Sequence, residues 1–170
     1  MNVKEYKKPY TALYPVPVVL VSCSDGRKDN LITLAWVGTV CSDPPMLSIS
    51  VRPSRFSHGL IKQTGEFVVN VPTRDLLAAV KLCGTKTGAT TDKWEETGLT
   101  KVKSTHLQVP MVAECPMNIE CRVKQHLPLG VHDMFLAEIL GVHRAEKWEK
   151  SKITAISFVD GVYYATGDKI

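Results

Sequence analysis

Short apolar runs, each closed by a proline, a glycine or a polar turn, recur along the chain. Residues 16–24 (VPVVLVSCS) are rich in valine and predict a buried strand. The polar turn at residues 25–30 joins it to a second apolar run, residues 31–40, as a hairpin. Pro44 and Pro45 lack the N–H that a ladder needs and break that strand. Residues 46–51 predict the next strand. Residues 57–64 then predict a short helix, with Ser57 at its start and Gly65 as its stop. Residues 67–71 (FVVNV) form a strand ended by Pro72. Residues 74–83 place leucine and alanine at helical spacing up to Gly84. Ahead of all this, residues 1–14 predict a short helix or arm.

The second half returns to strands. Residues 84–91 (GTKTGATT) read as a small polar loop, and residues 92–97 as one helical turn before Gly98. Residues 118–125 alternate, with Ile119, Cys121 and Val123 on one face and Glu120, Arg122 and Lys124 on the other. Residues 134–142 predict a further strand, and residues 156–165 two apolar pieces around a DG turn. Strands and helices do not alternate regularly, which argues against a doubly wound sheet. A mainly β, small antiparallel barrel with peripheral helices fits better. No repeat or linker divides the chain, so residues 1–170 are expected to form one domain.

Composition narrows the function classes. The net charge of +4 comes from scattered Lys and Arg, which is no footprint for nucleic acid and suits an anionic cofactor equally well. Five cysteines, an odd number without a C-x-x-C pair, point to reduced thiols and a cytoplasmic location. The apolar run at residues 15–21 is too short to span a membrane and makes a poor signal peptide.

Several chemistries lack their motif. There is no G-x-G-x-x-G after a strand, no phosphate-binding P-loop and no H-E-x-x-H. The histidines His58, His106, His126, His132 and His143 never sit four apart, and no metal site is expected. A serine or cysteine nucleophile with a distant histidine stays open. A bound flavin needs cations or hydroxyls for its phosphate, an apolar wall for its ring and hydrogen-bond partners for its polar edge. Arg52, Arg55, Ser57 and Lys93 offer the first, Trp36 with Tyr163 or Tyr164 the second, Asn30 and Thr33 the third.

Ordered pieces over nearly the whole chain carry a resemblance. They are P-V-P-V-V-L-V-S from Pro15, Asn30, Ala35–Trp36, Cys41–Ser42 and Pro44, then R-P-S-R-F-S-H from Arg52 and F-V-V-N-V-P from Phe67. After these come G-x-x-T-G-x-x-x-D-K-W from Gly84, G-L-T from Gly98, E-C-P from Glu114, E-C-R-V from Glu120 and G-V-H at Gly130. Together they resemble the flavin reductase-like family of FMN-binding split barrels, nearest to its flavoredoxin branch. The resemblance implies a six-stranded antiparallel split β-barrel that forms a homodimer with one FMN per subunit near the interface. NAD(P)H is the implied electron donor, and free flavin or a redox partner protein the acceptor. The implied activity is flavin reduction; a flavoredoxin-type electron carrier without NAD(P)H turnover is the alternative.

Residue by residue, the resemblance puts Asn30 at the flavin's polar edge, Trp36 against its ring, and Ser57 and Lys93 at its phosphate. One of Arg52 and Arg55 joins the phosphate. His132 stands near the flavin and the nicotinamide path as the catalytic candidate, and Tyr164 or Tyr163 covers the ring. The plainer readings are a turn asparagine, a core tryptophan, a helix-capping serine, a surface lysine and a turn histidine. Two departures stand out: Thr87-Gly88-Ala89 lacks an arginine common in the family's loop, and Val131 replaces a polar residue.

Overall fold

A computed structural model describes residues 4–146 and 154–166. Residues 4–14 are an exposed arm without helix. The apolar run after it divides at Val18 into β1 (Val16–Pro17) and β2 (Val19–Ser24), because the Val18 N–H donates to the carbonyl of Ile156 (2.9 Å). β2 pairs antiparallel with β3 (Asp29–Leu34). Their turn is held by Asp25, whose Oδ1 accepts from the N–H groups of Arg27 (2.9 Å) and Lys28 (2.7 Å).

The expected continuous strand at residues 31–40 does not form. It stops at Leu34 and restarts as β4 (Val37–Ser42), which pairs with β5 (Pro45–Val51) through the turn at Asp43–Pro44. α1 (Phe56–Thr64) follows and ends at Gly65 in the left-handed region (φ 69°), where only glycine is free of strain. Ser57 is not its cap. Arg55 occupies that position without a side-chain hydrogen bond, and Ser57 lies inside the first turn.

β6 (Glu66–Val71) leads through a 3-10 turn at Arg74–Leu76 to α2 (Leu77–Thr85) and α3 (Lys93–Thr97). Asp92 caps α3, its carboxylate accepting from Trp94 and Glu95 N–H. A two-residue ladder, β7 (Lys101–Val102) with β8 (Met111–Val112), precedes the long hairpin of β9 (Met117–Pro128) and β10 (Asp133–Arg144). β11 (Ile156–Val159) and β12 (Val162–Ala165) form the expected hairpin, with Asp160 (φ 41°) and Gly161 (φ 90°) in its turn, and join β1 in a small second sheet.

The main sheet is antiparallel throughout, in the order β3-β2-β6-β9-β10-β5-β4. It thus carries seven strands. Its two edges, β3 and β4, are separated in sequence only by Ala35 and Trp36. Laid flat, seven strands would hold those edges roughly 28 Å apart. Three Cα steps reach only about 11 Å. The sheet therefore curls until β3 stands opposite β5, and the Ser50 N–H donates to the Trp36 carbonyl (2.9 Å). The result is an antiparallel split barrel.

The period-two pattern sorts the core. Val19, Val21 and Cys23 face inward with Ile49, Phe67 and Phe135, and α1 supplies Leu60 and Ile61 to the same cluster. Val18, Leu20 and Leu31 face outward against Val80 and Cys83 of α2 and Trp94 of α3. One expectation from alternation fails at Glu120, which was placed on a polar face and is fully buried. The segment before β8 folds over it, and Glu120 accepts from Thr105 N–H (2.9 Å), His106 N–H (2.7 Å) and His143 Nε2 (2.6 Å). Burial alone raises this carboxyl, but those three donors outweigh it and hold it below its ordinary value.

A carboxyl depressed in the folded state contributes its full stability above its unfolded pKa of about 4.3 and loses it as pH falls through the folded value. Glu120→Gln keeps the shape and removes the charge. It is expected to cost about 1–3 kcal/mol at neutral pH. The difference from the parent chain should close in acid, below the ordinary carboxylate range. Denaturation curves that stay equally separated at all pH values would contradict this role.

Candidate functional site

The curl leaves a cavity of about 280 Å³ in the split between β3 and β5, closed at its buried end by the first turn of α1 and the loop after α2, which meet at Asn30. It brings together Asn30, Thr33, Trp36, Arg52, Arg55, Ser57, Lys93 and His132, residues drawn from four separate stretches of chain. Tyr164 is not among them. It lies half exposed on β12, in the second sheet, and Tyr163 beside it packs on Phe158 with ring centroids 5.2 Å apart.

The buried end is polar. Asn30, Ser57 and Lys93 are 2%, 1% and 3% exposed, which excludes a surface role for the lysine. Asn30 Nδ2 donates to Ser57 Oγ (2.7 Å), leaving the hydroxyl proton free to serve another acceptor. Lys93 Nζ donates to the carbonyls of Leu31 (2.8 Å) and Cys83 (2.9 Å). An ammonium has three donors, so one remains. Burial, with some help from Arg55, holds Lys93 below its ordinary pKa, although Cys83 and Cys23 pull the other way. An anion in the cavity would favour its charged form. Thr33 commits its hydroxyl to the Val80 carbonyl (2.6 Å) and so ties α2 to β3.

Gly88 is the residue that pattern reading did not single out. A Cβ there would lie 2.1 Å from Asn30 Oδ1, nearer than any real contact, so only glycine lets the loop close over the asparagine. The signal in the sequence was a polar loop with two glycines, which shows a turn but not what it presses on. The same loop supplies Lys86, three residues before Ala89. Lys86 thus brings to the cavity a cation that Ala89 does not.

The open end is aromatic. Trp36, 43% exposed, meets His132 with ring centroids 4.4 Å apart and planes tilted by 40°. Arg52 Nε donates to His132 Nε2 (3.3 Å). Burial first, then Arg52 and Arg55, lower the His132 pKa, so the ring is neutral at neutral pH with its proton on Nδ1. The thiols at the cavity are no ready nucleophiles: burial pushes Cys83, which lines it, up to about 11 and Cys23 to about 12.

The charge balance sets what the site accepts. Arg52, Arg55, Lys86 and Lys93 line it, and among the described residues no Asp or Glu does. No ion pair involves Arg52, Arg55 or Lys93 among the described residues. The first turn of α1 adds uncapped N–H groups and no acid. Such a site favours an anionic group at its buried end and a flat ring against Trp36.

Residues 11–167 match the flavin reductase like domain family. The chain belongs to that family. An uncharacterized protein of Archaeoglobus fulgidus is 39% identical over 89% of this chain and 82% of its own length. The solved flavoredoxin of Desulfovibrio vulgaris (Miyazaki F) superposes with a TM-score of 0.91 at 29% identity, covering 99% of this chain and 96% of that one. More distant is the NADH:riboflavin 5'-phosphate oxidoreductase of Streptomyces pristinaespiralis, 27% identical over 72% of this chain and 66% of its own.

Proposed function

We propose that the cavity binds FMN and that the chain is an NAD(P)H:flavin oxidoreductase acting as a homodimer. The observation that carries this reading is the charge of the cavity: four cations, a buried hydroxyl and no carboxylate beside an aromatic wall. Family membership and the name of the Streptomyces relative support it. Bound there, FMN would supply hydride acceptance and onward electron transfer.

The residues divide along the cavity. Lys93, Ser57, Arg55, Lys86 and the uncapped first turn of α1 would hold the phosphate. Arg55 is preferred over Arg52, which is already engaged with His132. Asn30 moves from the ring's polar edge to the phosphate end, because its amide is spent on Ser57 and its other side is pressed by Gly88. Trp36 would wall the ring, and His132 would offer Nδ1–H at the rim where the nicotinamide approaches. Thr33 acts by holding α2 in place.

A flavoredoxin-type carrier is the second reading, favoured by the 29% identical flavoredoxin. Turnover separates the two. The purified protein should show a flavin spectrum and oxidise NADH or NADPH with free FMN present in excess. A yellow protein without turnover would select the carrier. A colourless one that takes up no FMN would sink both.

Dimerisation is supported by β4, an edge strand whose Val40 is half exposed, with the exposed Trp36 just ahead of it. Light scattering should return about twice 18.8 kDa. A monomer that still binds FMN tightly would reject this part of the proposal.

Lys93 gives a test of orientation. Lys93→Met keeps the stem and volume but removes the charge. One charge-assisted hydrogen bond contributes about 1.5–3 kcal/mol. FMN binding should therefore weaken roughly ten- to a hundredfold. Riboflavin lacks the phosphate, so its affinity should change little, and this also controls for damage to the fold. An unchanged ratio of the two affinities would remove Lys93 from the phosphate site.

A further inference from the structure

His58, His126 and Asp133 form a second cluster that the flavin cavity does not use. They come from three elements: α1, the end of β9 and the first position of β10. His58 Nε2 lies 2.8 Å and His126 Nε2 2.6 Å from the same carboxylate oxygen, Asp133 Oδ2. The side chains of His58 and Asp133 are 8% and 9% exposed, and His126 is 25% exposed, so the cluster is buried with one ring reaching solvent. Phe135 fixes both imidazoles. It stacks on His126 at 4.8 Å with planes 11° apart and meets the edge of His58 at 5.4 Å. No Lys or Arg pairs with Asp133 among the described residues, so its only polar side-chain partners are the two histidines.

We propose that His58 Nε2, His126 Nε2 and an Asp133 carboxylate oxygen form a binding site for a divalent transition ion of the zinc class, with one position open to water. Three convergent donor atoms lie within 4.8 Å of one another. A tetrahedral zinc site, with bonds of about 2.0–2.2 Å, needs its donors roughly 3.3 Å apart. To reach it the 2.6 and 2.8 Å spacings to Asp133 widen and the two histidine nitrogens, within 4.8 Å of each other, draw together. In the metal-bound form each neutral imidazole presents the Nε2 lone pair to the ion and carries its single proton on Nδ1. A buried carboxylate that otherwise depends on hydrogen bonds alone then faces a full countercharge. Two imidazoles and one carboxylate suit zinc, cobalt or iron(II), whereas calcium and magnesium prefer all-oxygen sites.

The site would also steady the cavity. His58 adjoins Ser57 and Asp133 adjoins His132, so an ion there cross-links the helix and the hairpin that carry both residues. No motif revealed this arrangement, because its ligands are 68 and 7 residues apart, from His58 to His126 and from His126 to Asp133.

Metal uptake by the full chain tests the proposal without reference to flavin. Chelator-treated protein is dialysed against Zn²⁺, and bound metal is measured by elemental analysis. Co²⁺ serves as the spectroscopic probe. Uptake of one ion per chain is expected, with visible bands of low-symmetry Co²⁺ and a thermal midpoint that rises with Zn²⁺ concentration. His126→Gln keeps an N–H donor for Asp133 and removes the imidazole ligand. It should weaken uptake by about tenfold or more. His143→Gln and Cys41→Ser, outside the cluster, should bind as the parent does. A parent chain that retains no metal would overturn the proposal. Equal uptake by the parent and His126→Gln would overturn it as well, and would assign the metal to the surface.

Discussion

Two residues, Ala35 and Trp36, join strands that lie at opposite ends of a seven-stranded order. Covalent reach makes a flat sheet impossible, and the curl that follows determines nearly everything else. It stands β3 opposite β5, opens the split in which the cavity lies, and leaves Trp36 at its mouth. α1 packs Leu60 and Ile61 into the barrel core, so its first turn is carried to the same split. The cavity is thus a by-product of how the barrel closes, lined by whatever the closing segments bring.

What they bring is charge of one sign. Four cations in one cavity repel one another, and two of them are held in place by fixed neutral partners. Lys93 donates to two carbonyls, and Arg52 donates to His132. Neither partner neutralises the charge, so the attraction for an anion survives while the side chains stay ordered. The same economy governs the buried polar groups elsewhere. Asn70 spends its amide on the Leu20 carbonyl (3.0 Å) and Ser22 Oγ (3.1 Å), and accepts from Val112 N–H and Asn118. That network fastens β8 to the sheet, and the segment ahead of β8 closes over Glu120.

Family membership explains the match in fold across the chain, and the local differences show where this member found its own solution. The loop after α2 carries Ala89, which offers no cation, yet Lys86 lines the cavity. The loop is built of small residues around Gly88, so Lys86 has room to take that place. Gly88 is then required for a separate reason, its contact with Asn30.

The sequence by itself determined the elements. Valine-rich runs, proline stops, Gly65 and Gly98 as helix ends and the Asp-Gly turn at Asp160 act over a few residues, and each appears where local chemistry puts it. It also supplied the cavity's main residues, because the ordered pieces at Asn30, Trp36, Arg52–Ser57, Lys93 and His132 resemble those of a known family. Only the tertiary structure decided which of these are buried and what they touch. Lys93 passed for either a surface or a phosphate lysine until its amine was seen against two carbonyls. Tyr164 belonged to the ring by analogy and lies on another sheet. Glu120 followed a polar alternation and ended fully buried. His58, His126 and Asp133 had no spacing to betray them. The physical reason is common to all four: burial and convergence are set by long-range strand order, which a local pattern does not encode.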